Sequence, residues 1–185
     1  MFELIIHPVK LLRDSTNEII NVKETILHLE HSLISLKRWE QKWHKPFLTD
    51  TDKTMEELVD YIRCMTINKV DDSVYLAIEA NPGAYMEDVV AYIQNPMTAT
   101  WFADDKLIGA QKSAKEVITN EIIYYWMVSF NIPPEYQKWH LNALLTLIKV
   151  ISVKNQKPKK MTPAEASAQR KALNAQRRAR MHSKG

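Results

Sequence analysis

The chain reads as mainly α: a compact helical domain over residues 1–153 with a small N-terminal β-hairpin, then a basic C-terminal helical tail over residues 154–185. Three observations predict this. Only 3 Gly stand beside 8 Pro in 185 residues, too few glycines for the tight turns of a β-sandwich or barrel, or for a phosphate-cradling loop. Apolar residues make up 45% of the chain and include 5 Trp, enough for one sizeable core. The charge also changes sign along the chain. Ten of the 25 Lys/Arg but one of the 22 Asp/Glu fall in residues 154–185, so the tail carries +9 and residues 1–153 carry −6; two parts with different tasks are expected.

Taken in order, Phe2 to Ile6 is a short apolar run closed by Pro8, and Ile19 to Leu29 alternates in part through Ile20, Val22 and Ile26. The two are expected to pair as a hairpin across the polar stretch Arg13 to Glu18. From Leu27 the apolar positions become Leu29, Leu33, Leu36, Trp39 and Trp43, which is helical spacing, with the handover near Glu30 to Ser35 and a stop at Pro46. Thr54 with Glu57 forms a capping box, and a helix from Met55 to Met65 sets Met55, Leu58, Val59, Ile62 and Met65 on one stripe. Asn81-Pro82-Gly83 is a turn, after which Met86, Val89, Val90 and Ile93 form the next helical face until Asn95-Pro96.

Met97 to Phe102 is β-branched and aromatic enough to be a strand joining the hairpin, and Asp104 to Gln111 is a polar loop. Ser113 with Glu116 repeats the capping-box pattern and opens the strongest predicted helix, whose apolar side is Val117, Ile118, Ile122, Tyr125, Trp126 and Val128. Ile132-Pro133-Pro134 breaks it, and a second long helix follows with Tyr136, Trp139, Leu144, Leu147, Ile148 and Ile151 inward. These two are expected to form a helical hairpin at the centre of the core. Beyond the Asn155 to Lys160 spacer, Thr162-Pro163-Ala164-Glu165 supplies cap, first-turn proline and N3 carboxylate for a helix from Ala164 to about Arg180.

The residues that carry chemistry elsewhere are placed unhelpfully for it here. His28 and His31 are three apart, with His44 or Cys64 as further ligands, but no paired short spacing of the zinc-site kind accompanies them. Ser32 beside His31 does not face it on a helix, and the lone Cys64 lies beside an apolar stripe, where a thiol acts as a small hydrophobe. Asp50/Asp52, Asp71/Asp72 and Asp104/Asp105 fall in loops or helix starts, where capping explains them. No catalytic residue, metal or cofactor is therefore expected, and the chain is not expected to be an enzyme. With one cysteine, no signal-peptide pattern and no apolar stretch long enough to cross a bilayer, a soluble, intracellularly made protein is expected.

Binding has better material. Trp39-x-x-x-Trp43 followed by Lys45-Pro46-Phe47-Leu48 places two indoles on one helix face, flanked by Lys37, Arg38 and Lys42; such a stripe is either core or the anchor of an interface. Trp39, Trp43, Phe47 and Trp101 are the candidate partner anchors. In the tail, Arg170, Lys171, Arg177, Arg178 and Arg180 alternate with Ala168, Ala172, Ala175 and Ala179. They suit contacts to nucleic-acid phosphates, an electrostatic grip on an acidic protein, or plain solvation of a surface helix. The tail contains no aromatic residue, so base stacking is not available.

Leu29-Glu30-His31-Ser32-Leu33-Ile34-Ser35 leads into Trp39-Glu40-x-x-Trp43-x-Lys45-Pro46-Phe47-Leu48, and Asp60-Tyr61-Ile62-x-Cys64-Met65 and Pro96-Met97-Thr98-Ala99-Thr100-Trp101-Phe102 follow. Glu121-Ile122-Ile123-Tyr124-Tyr125-Trp126-Met127, Gln137-Lys138-Trp139-His140-Leu141-Asn142, Leu144-Leu145-Thr146-Leu147-Ile148, Pro158-Lys159-Lys160-Met161 and Ala172-Leu173-Asn174-Ala175-Gln176-Arg177-Arg178 come later. In these patterns, spread nearly end to end, the chain resembles a family of small proteins encoded in the tail-gene cluster of long-tailed bacteriophages, the tail assembly chaperones. The resemblance implies a non-enzymatic helper in the host cytoplasm. It would bind the helical tape-measure protein, keep its apolar surface from aggregating, and give way as tail-tube subunits polymerise. Tail-tube protein is a further implied partner, homo-oligomer formation stays open, nucleic acid ranks behind protein, and no membrane is implied. Two other classes remain: a neck or tail structural protein forming a ring in the virion, and a nucleic-acid-binding accessory acting through its tail.

Overall fold

The computed structural model describes residues 1–13, 18–49, 52–100, 102, 117–155 and 163–180. The described chain is mainly α, with seven α-helices and four short strands at the N-terminus. It divides into two compact units, Met1–Val153 and Lys154–Gly185.

The first unit opens with β1 (Phe2–Ile6), β2 (Val9–Arg13), β3 (Glu18–Val22) and β4 (Thr25–Leu29). β1 pairs antiparallel with β4, Phe2 facing Leu29 and Ile6 facing Thr25; β2 pairs with β3, Val9 facing Val22 and Arg13 facing Glu18. The hairpin predicted between Phe2–Ile6 and Ile19–Leu29 is thus two short ribbons in series. The strand Val9–Arg13 is not expected from the sequence, because Pro8 has no N–H to give a ladder and reads as the end of the β region. Alternation does the work on β1, where Leu4 and Ile6 are buried while Glu3 and Ile5 are exposed.

α1 (Leu33–Trp43) and α2 (Met55–Met65) form the heart of the unit. Ser32 caps α1 by accepting a hydrogen bond from Ser35 N, and His44 ends it in the left-handed region at φ 53° with its N–H returned to Glu40 O. The Thr54/Glu57 capping box starts α2 where the sequence places it: Thr54 N donates to Glu57 Oε2 (2.7 Å) and Glu57 N to Thr54 Oγ1 (3.3 Å). The exit of α2 then covers the free edge of β4. Ile67 N donates to His28 O, while Asn68 accepts from His28 N and donates to Ile26 O, so an edge open to stray pairing is closed within the chain.

α3 (Ser73–Ala80), which the sequence reading lacked, packs Val74, Tyr75, Ala77 and Ile78 inward and lies against the strands. A 3-10 turn at Pro82–Ala84 leads to α4 (Met86–Gln94). The strand expected at Met97 to Phe102 is absent from its described residues: Met97 takes φ 49°, its N–H bonds to Asn95 Oδ1, and Thr100 N bonds to Thr98 Oγ1. Side chains of that kind capture backbone groups that a strand needs; Trp101 lies outside the described residues.

α5 (Asn120–Ser129) begins after the expected start, with residues 117–119 non-helical and the Ser113/Glu116 signal outside the described residues. A 3-10 turn (Pro134–Lys138) carries Tyr136, and α6 (Leu141–Asn155) starts only after Trp139. α5 packs chiefly on α1 instead of pairing with α6 at the centre of the core, which corrects the expected helical hairpin. In the second unit, α7 spans Pro163–Arg180, and residues 167–178 are exposed. Among the described residues no helix is long and apolar enough to cross a membrane.

Candidate functional site

Trp39 and Phe47, expected as anchors for a partner, are core residues. Trp39 is fully buried and its Nε1–H donates to Glu57 O at 2.8 Å. Phe47 is 8% exposed, stacks on Tyr61 with 3.8 Å between ring centroids, and meets the edge of Trp39 at 5.0 Å. Burial of this size outweighs any interface role, because exposing either ring would unmake the α1–α2 contact. Trp43 is half-buried and gives its Nε1–H to Asp60 Oδ2 at 2.9 Å. Its indole is committed too.

The acids around these rings hold the fold together. Lys42 pairs with Asp60 and Lys45 with Glu57. The Lys45 ammonium, followed by the Thr54 backbone N–H, holds the Glu57 carboxyl below the usual carboxylate range. Glu40, 7% exposed, accepts from Phe47 N on one oxygen and from both Asn120 N and Asn120 Nδ2 on the other, at 2.8 to 2.9 Å. It therefore fastens the first turn of α5 to α1, its negative charge set against the amides at a helix start.

Histidine and tyrosine meet in a second buried cluster. His31 Nδ1 and the Tyr61 hydroxyl share a 2.6 Å hydrogen bond, Tyr92 OH accepts from His31 N and donates to Leu29 O, and His140 stacks edge-on to His31 at 5.0 Å. Burial, reinforced by the neighbouring His140, pushes the His31 imidazole down to about 3. Burial also raises Tyr61 well above its ordinary value. A neutral imidazole against a phenol that keeps its proton, with His31 1% exposed, has neither the proton affinity nor the access for acid–base work. Two surface recesses are described, of about 330 Å³ between Leu11, Ile20 and Leu76 and about 420 Å³ beside Glu40, His44 and Asn120, and His31 lines neither.

His28 lies opposite Glu3 in the strand register, apart from His31, and among the described residues no three His, Cys, Asp or Glu side chains gather as a metal site. Burial and then the Asp60 carboxylate push the Cys64 thiol up to about 11, which suppresses the thiolate a nucleophile needs.

The inward side expected around α5 is split: Ile118 and Trp126 pack against the core, whereas Val117, Tyr125 and Val128 are exposed. On α5 the inward residues are Asn120, Ile123 and Met127. Tyr125 is 67% exposed and Val128 is 77% exposed, on the side away from the core. Beyond the helix, Trp139 stacks on Tyr136 at 4.1 Å and is itself 43% exposed. The signal for the true inward face was present as the i, i+3, i+7 spacing of Asn120, Ile123 and Met127; an asparagine in the first position concealed it. On α7, Arg170, Lys171, Arg177, Arg178 and Arg180 are all exposed.

No protein-family model, curated protein or solved structure matches this chain.

Proposed function

We propose that this chain is a non-enzymatic assembly helper of the tail-assembly-chaperone kind, which binds the tape-measure protein of a long-tailed phage in the host cytoplasm and assists formation of the tail tube. The observation that carries this reading is the outward face of α5, where Tyr125 and Val128 stand 67% and 77% exposed one turn apart. Glu40 ties that helix to α1, so the face is presented from a fixed base. Aromatic and aliphatic side chains at i and i+3 on such a base suit the apolar side of an amphipathic helix. A tyrosine ring supplies large contact area at small entropic cost. Trp39 and Phe47, buried in the core, do not take this role, which falls to Tyr125 and Val128. The basic C-terminal helical tail is a separate appendage in this account and is not needed for that contact.

The test is co-expression with the tape-measure and tail-tube proteins of a long-tailed phage, followed by mass spectrometry of the captured complex and of purified virions. The expected result is a tape-measure chain in the complex and none of this protein in virions. Stoichiometric recovery from virions would replace the chaperone reading with a ring-forming structural protein.

A further inference from the structure

The cations of α7 are arranged as well as abundant. Arg170 and Arg177 are seven residues apart, as are Lys171 and Arg178; seven residues are two helical turns, about 10.5 Å. The four consequently share one side of the helix, while Ala168, Ala172 and Ala175, spaced i, i+4, i+7, lie on another. All seven are exposed. Among the described residues, none of the ion pairs uses a cation of α7.

We propose that this basic face of α7 binds the phosphodiester backbone of a nucleic-acid duplex without reading its sequence. The two rows of charge span about three nucleotide steps of a duplex, at about 3.4 Å each, so several phosphates come within reach of one rigid element. A docked protein helix would need apolar anchors, and residues 167–178 contain one large apolar side chain, Leu173. The absence of aromatics from residues 154–185 removes base stacking and leaves the backbone as the target. A second copy is the competing occupant, since residues 1–153 carry −6. Five of its 21 acids, Glu40, Glu57, Asp60, Asp71 and Asp72, already accept hydrogen bonds within their own unit.

The test is fluorescence anisotropy of the full chain with a labelled duplex DNA of mixed sequence, and with a second duplex of unrelated sequence. Neutralising four phosphates predicts a slope of about −3.6 in log K against log salt, an affinity loss of about 150-fold between about 50 and about 200 mM salt, equal for both duplexes. The variant R170Q/K171Q/R177Q/R178Q should bind at least about 100-fold more weakly, whereas R170K/R177K/R178K, which keeps every charge, should stay within about threefold. Absent or salt-independent binding, or an unaffected glutamine variant, would overturn the proposal. A poly-glutamate peptide of matched charge binding as tightly as DNA would assign the face to an acidic protein instead. Self-association at low salt that the glutamine variant abolishes, without DNA binding, would assign it to a second copy.

Discussion

α1 and α5 are both short helices rich in aromatic residues, and they use them in opposite ways. α1 places Leu33, Leu36 and Trp39 inward and gives its exposed side to Lys37, Arg38 and Lys42. α5 is apolar nearly all round, so burying Ile123 and Met127 leaves Tyr125 and Val128 in solvent. An amphipathic helix declares its buried face, whereas a helix apolar on every side holds more apolar surface than one core contact can cover. The surplus on α5 is where a partner is expected.

That contrast can be broken by substitution. Trp39→Ala should show the largest effect, a loss of about 3–5 kcal/mol in urea unfolding, because it empties the centre of the α1–α2 contact. Glu40→Ala should come next at about 3 kcal/mol by the same assay, since it strands the Phe47 and Asn120 donors in a buried place. If either variant unfolds like the wild type, α1 is not the organising helix.

The buried His31 provides a third, pH-dependent test. Its folded pKa of about 3 lies below the unfolded value of about 6.5, so the unfolded chain takes up a proton that the folded chain refuses. The stability linked to His31 is complete above about pH 6.5 and is lost as pH falls from there toward 3, by about 2 kcal/mol at pH 5. His31→Gln, which keeps a polar partner for Tyr61, should flatten unfolding free energy against pH over that window. An unchanged slope would place the proton uptake elsewhere. The smallest effect belongs to α5: Tyr125→Ser should shift stability by less than about 0.5 kcal/mol, as for a surface site.

Legibility followed the same physics. The bounds of α2 are legible to the residue from its capping box, though Met55 of the expected stripe is 41% exposed, and α1 is legible between the Glu30 to Ser35 handover and Pro46 because its stripe is narrow. The face of α5 was not, since period alone cannot choose a side when Ile122, Tyr125, Trp126 and Val128 are as apolar as Ile123 and Met127. Trp39 and Phe47 look like anchors in the sequence because residue type shows that a ring wants contact, and only packing shows with what. The polar staples were hidden for a related reason: Glu40 meets Asn120 across 80 residues, and His31 meets His140 across a still longer stretch.

The α5 face is tested by calorimetric titration of the full chain with a helical tape-measure segment, comparing wild type with Tyr125→Ser/Val128→Ser. The expected result is an affinity loss of at least about tenfold, about 1.4 kcal/mol, with an unchanged melting temperature. Equal affinity in the two proteins would rule out the α5 face as the partner surface.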